Sequence, residues 1–389
     1  MTTTSPDSLA APTAPPGRTT PVVALAAGIA ILVTSEFLPA GVLPTMARDL
    51  GVSEGTAGLA VAATAIAGAL TAPSIAMLLP RTDRRTVLVG LLVAAAVANL
   101  AVALAPGFLV LLAGRLLLGA ALAGFWSFAF AAGTYASPGH DHVISTSIAL
   151  GVTVATIVGV PLGSLLADGP GWRWGFVGGA VLSLLAGVAV ARALPSVPAH
   201  PGAGLAMMRR AVRNPRLVAG VALVVVVVLG NFVAYPFIRI AIATTSPGDG
   251  MWMLVLWGVG GLFGNLAAGR FAAHLRVTVT AAALLLAAGL MLTLLAESTA
   301  VMALAMLVWG FGMNMVPVAT QLWVTRAEPE RTESALALQV TAFQIAITAG
   351  AALGGAFLDS YGVGRVLLVG AVSAAVGAAG FAAIRVPRD

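Results

Sequence analysis

The sequence lacks both cysteine and lysine. Without cysteine, the chain forms no disulfide, no thiolate metal site and no cysteine nucleophile. All 20 of its basic residues are therefore arginine. Without lysine, the chain holds neither the phosphate-binding loop of an ATPase nor a Schiff-base amine. Any transport must therefore use an energy source other than ATP hydrolysis within this chain.

Charge is also scarce. Only 9% of the 389 residues are charged, 59% are hydrophobic, and the mean hydropathy is +1.01. A soluble domain carries roughly 25% charged residues, so this composition excludes ordinary soluble domains, and it excludes disorder because too much apolar surface needs burial. The composition predicts a polytopic membrane protein whose surroundings are the lipid bilayer. The net charge of +6 fits arginines in cytoplasmic loops better than nucleic-acid binding.

Apolar runs of about 20 residues, each long enough to cross a bilayer as a helix, alternate with short polar breaks from Val22 onward. These runs predict an all-α membrane protein with twelve transmembrane helices in two pseudo-symmetric bundles. The predicted spans are 22–43, 55–79, 87–106, 109–134, 145–167, 174–194, 217–240, 251–271, 277–296, 299–324, 334–357 and 364–384.

The chain divides near its middle. Residues 1–20 predict a disordered cytoplasmic tail, and the Pro-, Gly- and Arg-rich segment 196–215 predicts a cytoplasmic linker between six-helix bundles at 21–195 and 216–389. The halves also resemble each other at an offset of 191 residues, where GVPLGSLLADGPG at 159–171 aligns with GAALGGAFLDSYG at 350–362. Such an offset indicates two parallel repeats.

Arginine placement predicts the orientation. With the N-terminus inside, the inner segments hold fifteen arginines and the outer loops hold three. Because cytoplasmic loops are enriched in basic residues, both termini are expected on the cytoplasmic side of the cell membrane.

Several motifs occur together on these helices: SEFLPAGVLP at 35–44, GRLLLG at 114–119, GVPLG at 159–163, NFVAYPFIR at 231–239, and WG at 309–310 with Gln321. In this order they resemble the major facilitator superfamily, and within it the twelve-helix drug/proton antiporter branch that includes sugar-efflux and arabinose-efflux permeases.

This resemblance implies a monomeric exporter of a small, partly apolar, drug-like molecule. The exporter would take up protons in exchange by alternating access, with no cofactor beyond the proton gradient, and would contribute to multidrug resistance. Efflux of a sugar or another metabolite is one alternative, and a non-transporting membrane receptor is another. An intramembrane enzyme is not expected, because the sequence has neither an HExxH motif nor an intramembrane pair of aspartates.

Glu36 is the carboxylate that lies well inside a predicted span, and Arg115 lies in another span at a similar depth of about 9 Å at 1.5 Å per residue. A charge in hydrocarbon costs at least about 2.5–3.5 kcal/mol unless it faces a polar cavity or a partner. We therefore expect proton coupling at Glu36, with Arg115 favouring the ionised carboxylate or pairing with it. The alternative is a permanent salt bridge between the first and fourth helices.

The fifth predicted helix has a small residue at every fourth position: Gly151, Ala155, Gly159 and Gly163, with Pro161 between the last two. This spacing lets another helix approach closely, and it resembles the antiporter motif of the family. We expect the stripe to pack against the eighth helix, which has Gly260, Gly264 and Ala268 at the same spacing, and to form a gate between the halves. Ordinary tight packing is the alternative.

The loop between the second and third helices departs from the family pattern. Ala76 stands at the usual Gly and Pro80 at the usual Asp, while Asp83, Arg84 and Arg85 keep the charge. Either Asp83 replaces the missing acid in a gating lock, or the loop is simply solvated.

Helical-face counting predicts the substrate cavity. The expected lining residues are aromatic rings and uncharged amides, which suit a modest-sized, partly apolar solute; each ring could instead be an anchor in the core or at the membrane interface. The predicted set is Trp126, Asn231, Tyr235, Asn314, Gln321 and Gln344, with Gln339 as the alternative to Gln344.

Overall fold

The computed structural model describes residues 19–79, 81–138, 140–198, 213–329 and 332–384. Residues 1–18 of the predicted tail and 199–212 of the predicted linker lie outside this range. The described residues form helices joined by short connections. They are α1 (Thr19–Leu50), α2 (Glu54–Leu78), α3 (Arg84–Ala103), α4 (Phe108–Ala136), α5 (Asp141–Asp168), α6 (Arg173–Ala193), α7 (Pro215–Ala234), α8 (Ile238–Ala243), α9 (Gly250–Arg270), α10 (Leu275–Leu294), α11 (Thr299–Ala327), α12 (Thr332–Tyr361) and α13 (Val363–Ala383).

Every predicted span overlaps one of these helices. The seventh span is broken, because a 3₁₀ turn at Tyr235–Phe237 separates α7 from α8. Among the described residues, eleven helical stretches are long and apolar enough to cross a membrane. The all-α membrane fold expected from the sequence is confirmed.

Polar side chains mark where several helices begin. A side-chain oxygen accepts a hydrogen bond from a backbone N–H in the first helical turn, which satisfies a donor that the helix itself leaves unpaired. These capping residues are Ser53 for α2, Asp83 for α3, Asn214 for α7 and Ser298 for α11.

The repeat seen in the sequence has a counterpart in the packing. A Cβ at Gly119 of α4 would lie 2.0 Å from the carbonyl oxygen of Thr64 in α2, and a Cβ at Gly310 of α11 would lie 1.9 Å from that of Trp257 in α9. Gly119 and Gly310 are 191 residues apart. Repeat-related glycines thus allow the same close helix crossing in each half of the chain.

The small residues of α5 pack against α1. A Cβ at Gly159 would lie 3.3 Å from Cα of Thr34, and one at Gly163 would lie 3.1 Å from the carbonyl oxygen of Leu38. Pro161 lies inside α5 and is buried. The prediction that this stripe packs against the eighth transmembrane helix, here α9, was wrong.

The glycines of α9 pack against α11 and not against α5. Cβ atoms at Gly260 and Gly264 would lie 2.2 Å and 2.0 Å from the carbonyl oxygens of Leu307 and Phe311 in α11. Both glycine stripes therefore approach helices of their own half closely, and α5 and α9 also contact each other. The gating role expected for the stripe of α5 stays a prediction.

Candidate functional site

A cavity of about 470 Å³ lies between the two halves. Residues of α1, α2 and α4 line one side, and residues of α11 and α12 line the other. Its wall is mainly apolar, with polar groups at Glu36, Ser127, Gln321, Gln339, Thr341 and Gln344. Glu36 is the one ionisable residue among the lining residues.

The cavity lies closer to one end of the bundle than to the other. This is the end at which α1 begins and α13 ends, and it is called the terminal end. Its lining residues in α2, α4 and α11 lie in the second half of each helix, and those in α12 lie in the first half or next to the midpoint. The opposite end, near Leu50 and Asp168, is called the far end. Glu36 lies near the middle of α1, so it sits at the far-end limit of the cavity.

Glu36 is buried, with 9% of its surface exposed. Its carboxylate borders the cavity and, within the described part of the chain, accepts no hydrogen bond. A buried acid at the wall of an internal cavity has the location that the predicted proton-coupling role requires.

Arg115 is fully buried and bonds to backbone carbonyls. Its Nε donates to Ala60 at 2.9 Å, Nη1 to Ser35 at 2.7 Å and Nη2 to the backbone oxygen of Glu36 at 2.7 Å. Over the residues that the structure describes, it forms no ion pair with the Glu36 carboxylate. The expected side-chain pairing, and with it the permanent salt bridge, is therefore wrong for this conformation.

Pro39 explains one of these contacts. In a regular helix the N–H of residue 39 would donate to the carbonyl of Ser35, but proline has no N–H. Arg115 supplies the missing donor to this carbonyl, and its other bonds reach α1 and α2. Arg115 therefore links α4 by hydrogen bonds to α2 and to the backbone of α1 at Glu36.

Three of the six predicted substrate residues line the cavity. Trp126 is 43% exposed there, and Gln321 and Gln344 face it from the other half. A Cβ at Gly68 of α2 would lie 2.2 Å from Nε2 of Gln344, so the glutamine reaches across to the first half. Gln339 also lines the cavity, but its Nε2 donates to Oγ1 of Thr320 at 2.8 Å.

The other three predicted residues do not line this cavity. Oδ1 of Asn231 accepts a hydrogen bond from Nε1 of Trp309 at 2.8 Å, and Nδ2 of Asn314 donates to the carbonyl of Gly310 at 3.0 Å. Tyr235 is buried in an aromatic cluster. Counting residues around a helix shows which of them share a face, but it does not show toward which neighbour that face is turned.

Sequence reasoning missed further lining residues. Ser127 and Phe343 adjoin the predicted Trp126 and Gln344, and Thr341 lies one turn away on α12. Ser127 and Phe343 could have been predicted as lining residues, because each is adjacent in the sequence to a predicted one.

Comparison with known proteins identifies the family. The model of the Major Facilitator Superfamily matches residues 25–339 and 221–389. The chain belongs to the Major Facilitator Superfamily. It is 32% identical over 348 residues to the purine ribonucleoside efflux pumps NepI of Salmonella paratyphi B and Salmonella typhimurium, covering 88% of this chain and 88% of each relative.

Solved structures agree on the fold. A bacterial homologue of the human lysosomal transporter Spinster superposes with a TM-score of 0.77 in its inward-facing, occupied form, at 15% identity over 95% of this chain and 97% of that one. Its inward-facing, unoccupied form gives a TM-score of 0.74 at 13% identity, with the same coverage.

Together the comparisons support an efflux transporter of this superfamily. The family and its relatives are transporters rather than enzymes, and they need no cofactor. The chain is accordingly a multi-pass membrane protein.

In this facilitator the loop between α2 and α3 is held to the first half of the chain. The Asp83 carboxylate accepts hydrogen bonds from Oγ of Ser196 at 2.6 Å, and from the backbone N–H groups of Val197 at 2.7 Å and Thr86 at 3.1 Å. Burial alone would raise the pKa of Asp83, but these hydrogen bonds outweigh it and lower the pKa below its usual value.

The two arginines of this loop have partners as well. The Arg84 guanidinium lies 4.3 Å from the centre of the Phe128 ring, and its Nη1 donates to the carbonyl of Leu79 at 2.7 Å. Arg85 donates to the carbonyl of Ala191. Asp83 and Arg85 are therefore not simply solvated, and their partners Ser196, Val197 and Ala191 lie 106 to 114 residues away in the sequence. These partners lie between Leu79 and Val197, in the first bundle and at the start of the predicted linker, so these contacts form no lock between the halves.

Polar contacts between the halves close the far end of the transporter, and two of them involve an aspartate. Nη2 of Arg239 donates to both carboxylate oxygens of Asp168, at 2.8 and 3.0 Å. The carboxylate of Asp359 accepts from Oγ of Ser53 at 2.6 Å and from the N–H of Gly55 at 3.0 Å. The two aspartates are 191 residues apart, so each repeat contributes the equivalent acid to a contact with the opposite half.

Proposed function

We propose that this transporter exports a neutral, purine-nucleoside-like solute in exchange for protons, with Glu36 as the residue that carries the proton. The observation that carries the proposal is the position of Glu36, which is buried at the wall of the cavity between the halves and forms no side-chain hydrogen bond with the residues that the structure describes. Such a carboxylate can hold a proton when the site is dry and release it when a polar solute or water arrives.

The chemistry of the cavity supports a nucleoside. A glutamine amide can bond to two neighbouring atoms of a purine edge, and Gln321 and Gln344 bring such amides from the second half. The Trp126 ring on the opposite side offers a stacking surface. The cavity volume of about 470 Å³ lies within the usual range for small-molecule sites. The names of the relatives, purine ribonucleoside efflux pumps, agree with this chemistry.

Charge separates nucleosides from nucleotides. The lining residues include one acid and no base, so a phosphate group would meet a like charge and no partner. We therefore propose that uncharged nucleosides are substrates and that nucleoside monophosphates are not.

The apolar wall of the cavity favours a second candidate class of substrate. Val33, Leu122 and Ile347 line the same cavity, and such a surface also suits a drug-like, partly apolar solute. Export of drug-like molecules, and a contribution to multidrug resistance, is therefore the second proposal for the same site.

The proposed cycle is alternating access, in which the two halves rock about the central site. One proton moving down a potential of about 100 mV supplies about 2.3 kcal/mol. We further propose a monomer in the cytoplasmic membrane with both termini inside, supported by a cavity that one chain completes and by the arginine bias of the loops.

Proteoliposomes with an imposed pH gradient test the proposal. Inosine or guanosine should accumulate against its gradient while AMP does not, and Glu36→Gln should abolish this pH-driven accumulation because the amide cannot take up a proton. Exchange of labelled for unlabelled inosine, which needs no net proton movement, should persist in this variant.

The matched control is Glu297→Gln, since Glu297 is exposed in a loop; it should behave as the wild type. Accumulation of drug-like amphiphiles without nucleosides would favour the second candidate. If Glu36→Gln still concentrates solute in response to the pH gradient, the coupling role is refuted.

A further inference from the structure

Two neighbouring buried hydrogen-bond donors have no partner among the described residues. The hydroxyl of Tyr235 and the indole Nε1 of Trp257 are both enclosed, and neither forms a hydrogen bond with a residue that the structure describes. The two residues are 2% and 4% exposed. Buried polar groups are nearly always paired, because leaving one unpaired is costly. Two adjacent exceptions in one transporter therefore need a reason.

The two side chains lie together at a break in a helix. The Tyr235 and Trp257 rings are 5.0 Å apart, centre to centre. Tyr235 begins the 3₁₀ turn Tyr235–Phe237, where Pro236 interrupts the seventh span. In transporters, interrupted helices near mid-membrane place polar groups at substrate sites.

Tyr235 also contacts the other half of the chain. Its ring packs edge-on against Phe37 with the ring centres 5.6 Å apart, and Phe37 follows Glu36 in α1. The contact therefore lies next to the far-end limit of the cavity. If the halves separate at the far end, Phe37 and Tyr235 must part, and the two unpaired donors are then uncovered beside Glu36.

We propose that Tyr235 and Trp257 form a latent part of the substrate site that binds the acceptor edge of a purine base when the far end is open. The inference rests on the proposed function and adds where the base binds in the second state. Purines carry ring-nitrogen and carbonyl acceptors that match the two donors, and the rings of Phe37 and Phe232 supply stacking surface on either side of Tyr235. In the closed state the aromatic rings fill the space themselves.

Tyr235→Phe is the decisive variant, because it removes the hydroxyl and keeps the ring. We expect thermal stability equal to or above that of the wild type, since the lost hydroxyl has no partner in the closed state. For inosine presented at the far side, we expect KM to rise about five- to tenfold, as for one lost hydrogen bond. KM at the terminal side should not change. Oppositely oriented membrane vesicles give access to the two sides.

Tyr361→Phe is the matched control, because Tyr361 is 68% exposed, and it should leave both KM values unchanged. Trp257→Phe tests the second donor and should act on the same side, with Trp252→Phe as its control. Unchanged KM values in both Tyr235→Phe and Trp257→Phe, or equal rises on the two sides, would overturn the latent site. Absence of any nucleoside transport by the wild-type protein would instead refute the proposed function.

Discussion

At the scale of single residues, Arg115 shows what a sequence can and cannot reveal. Its depth in a span predicted a special environment, and the structure gives it one. The Glu36 carboxylate was the wrong prediction for its partner. Arg115 instead donates to the Ser35 carbonyl, which Pro39 leaves without a helical donor. Pro39 marks this free carbonyl in the sequence, but the packing of α1 against α4 decides which side chain reaches it. Glu36, in contrast, could be singled out from the sequence alone, because an acid in an apolar run is rare.

The contacts of Arg115 predict the effect of a conservative change. Lysine carries a compact charge and cannot reach three carbonyls as the planar guanidinium does. We expect Arg115→Lys to destabilise the protein by about 1–3 kcal/mol, measured by thermal unfolding in detergent. The loss should be smaller in a Pro39→Ala background, where the N–H of residue 39 again serves the Ser35 carbonyl.

Arg365→Lys is the control for the Arg115→Lys and Pro39→Ala comparison, because Arg365 is exposed. It should leave the unfolding temperature unchanged. Equal losses for Arg115→Lys with and without Pro39 would show that the arginine does not replace the missing donor.

At the scale of helices, the apolar runs located the transmembrane segments well. Their small-residue stripes were also found, but not their partners. The stripe of α5 packs on α1 and that of α9 on α11, since spacing shows that a close approach is possible without showing to which helix. The break at Tyr235–Phe237 was likewise not predicted, since residues 217–240 were expected to form one continuous helix.

Close helix crossings predict which glycines tolerate a methyl group. Gly119→Ala places a Cβ 2.0 Å from a backbone oxygen and should destabilise the protein by about 1–3 kcal/mol through overpacking. Gly90→Ala in α3 meets nothing within 4 Å and should be neutral or stabilising by up to about 1 kcal/mol, since alanine favours the helix. Thermal unfolding of the two variants side by side tests this, and similar stabilities would contradict the packing described.

At the scale of the whole molecule, the far-end contacts of Asp168 and Asp359 hold the halves together on the side opposite the cavity. The internal repeat was visible in the sequence, and both aspartates belong to it. Their partners could not be predicted, because Arg239, Ser53 and Gly55 are reached only when the two halves assemble.

Removing one of these charges should favour opening at the far end. Asp359→Asn weakens hydrogen bonds to a charged group, a change large enough to shift the equilibrium about tenfold. Because the chain has no cysteine, an added one is a unique label. Ser164→Cys is suitable, since Ser164 is fully buried and close to Gly250 of the other half.

A thiol reagent should therefore label Ser164→Cys several-fold faster when Asp359→Asn or Asp168→Asn is also present. Ser183→Cys is the control, because Ser183 is equally buried but bonds within α6, and its labelling should stay slow. An unchanged rate at position 164 in both aspartate variants would show that these contacts do not hold the far end closed.

The central claim is that solute and proton compete at Glu36, and proton release on substrate binding tests it most directly. Inosine is added to purified protein in weakly buffered detergent solution, and the pH is recorded. The wild-type protein should release protons in proportion to the inosine bound, whereas Glu36→Gln should bind inosine and release none. Equal proton release by the two proteins would contradict competition at Glu36.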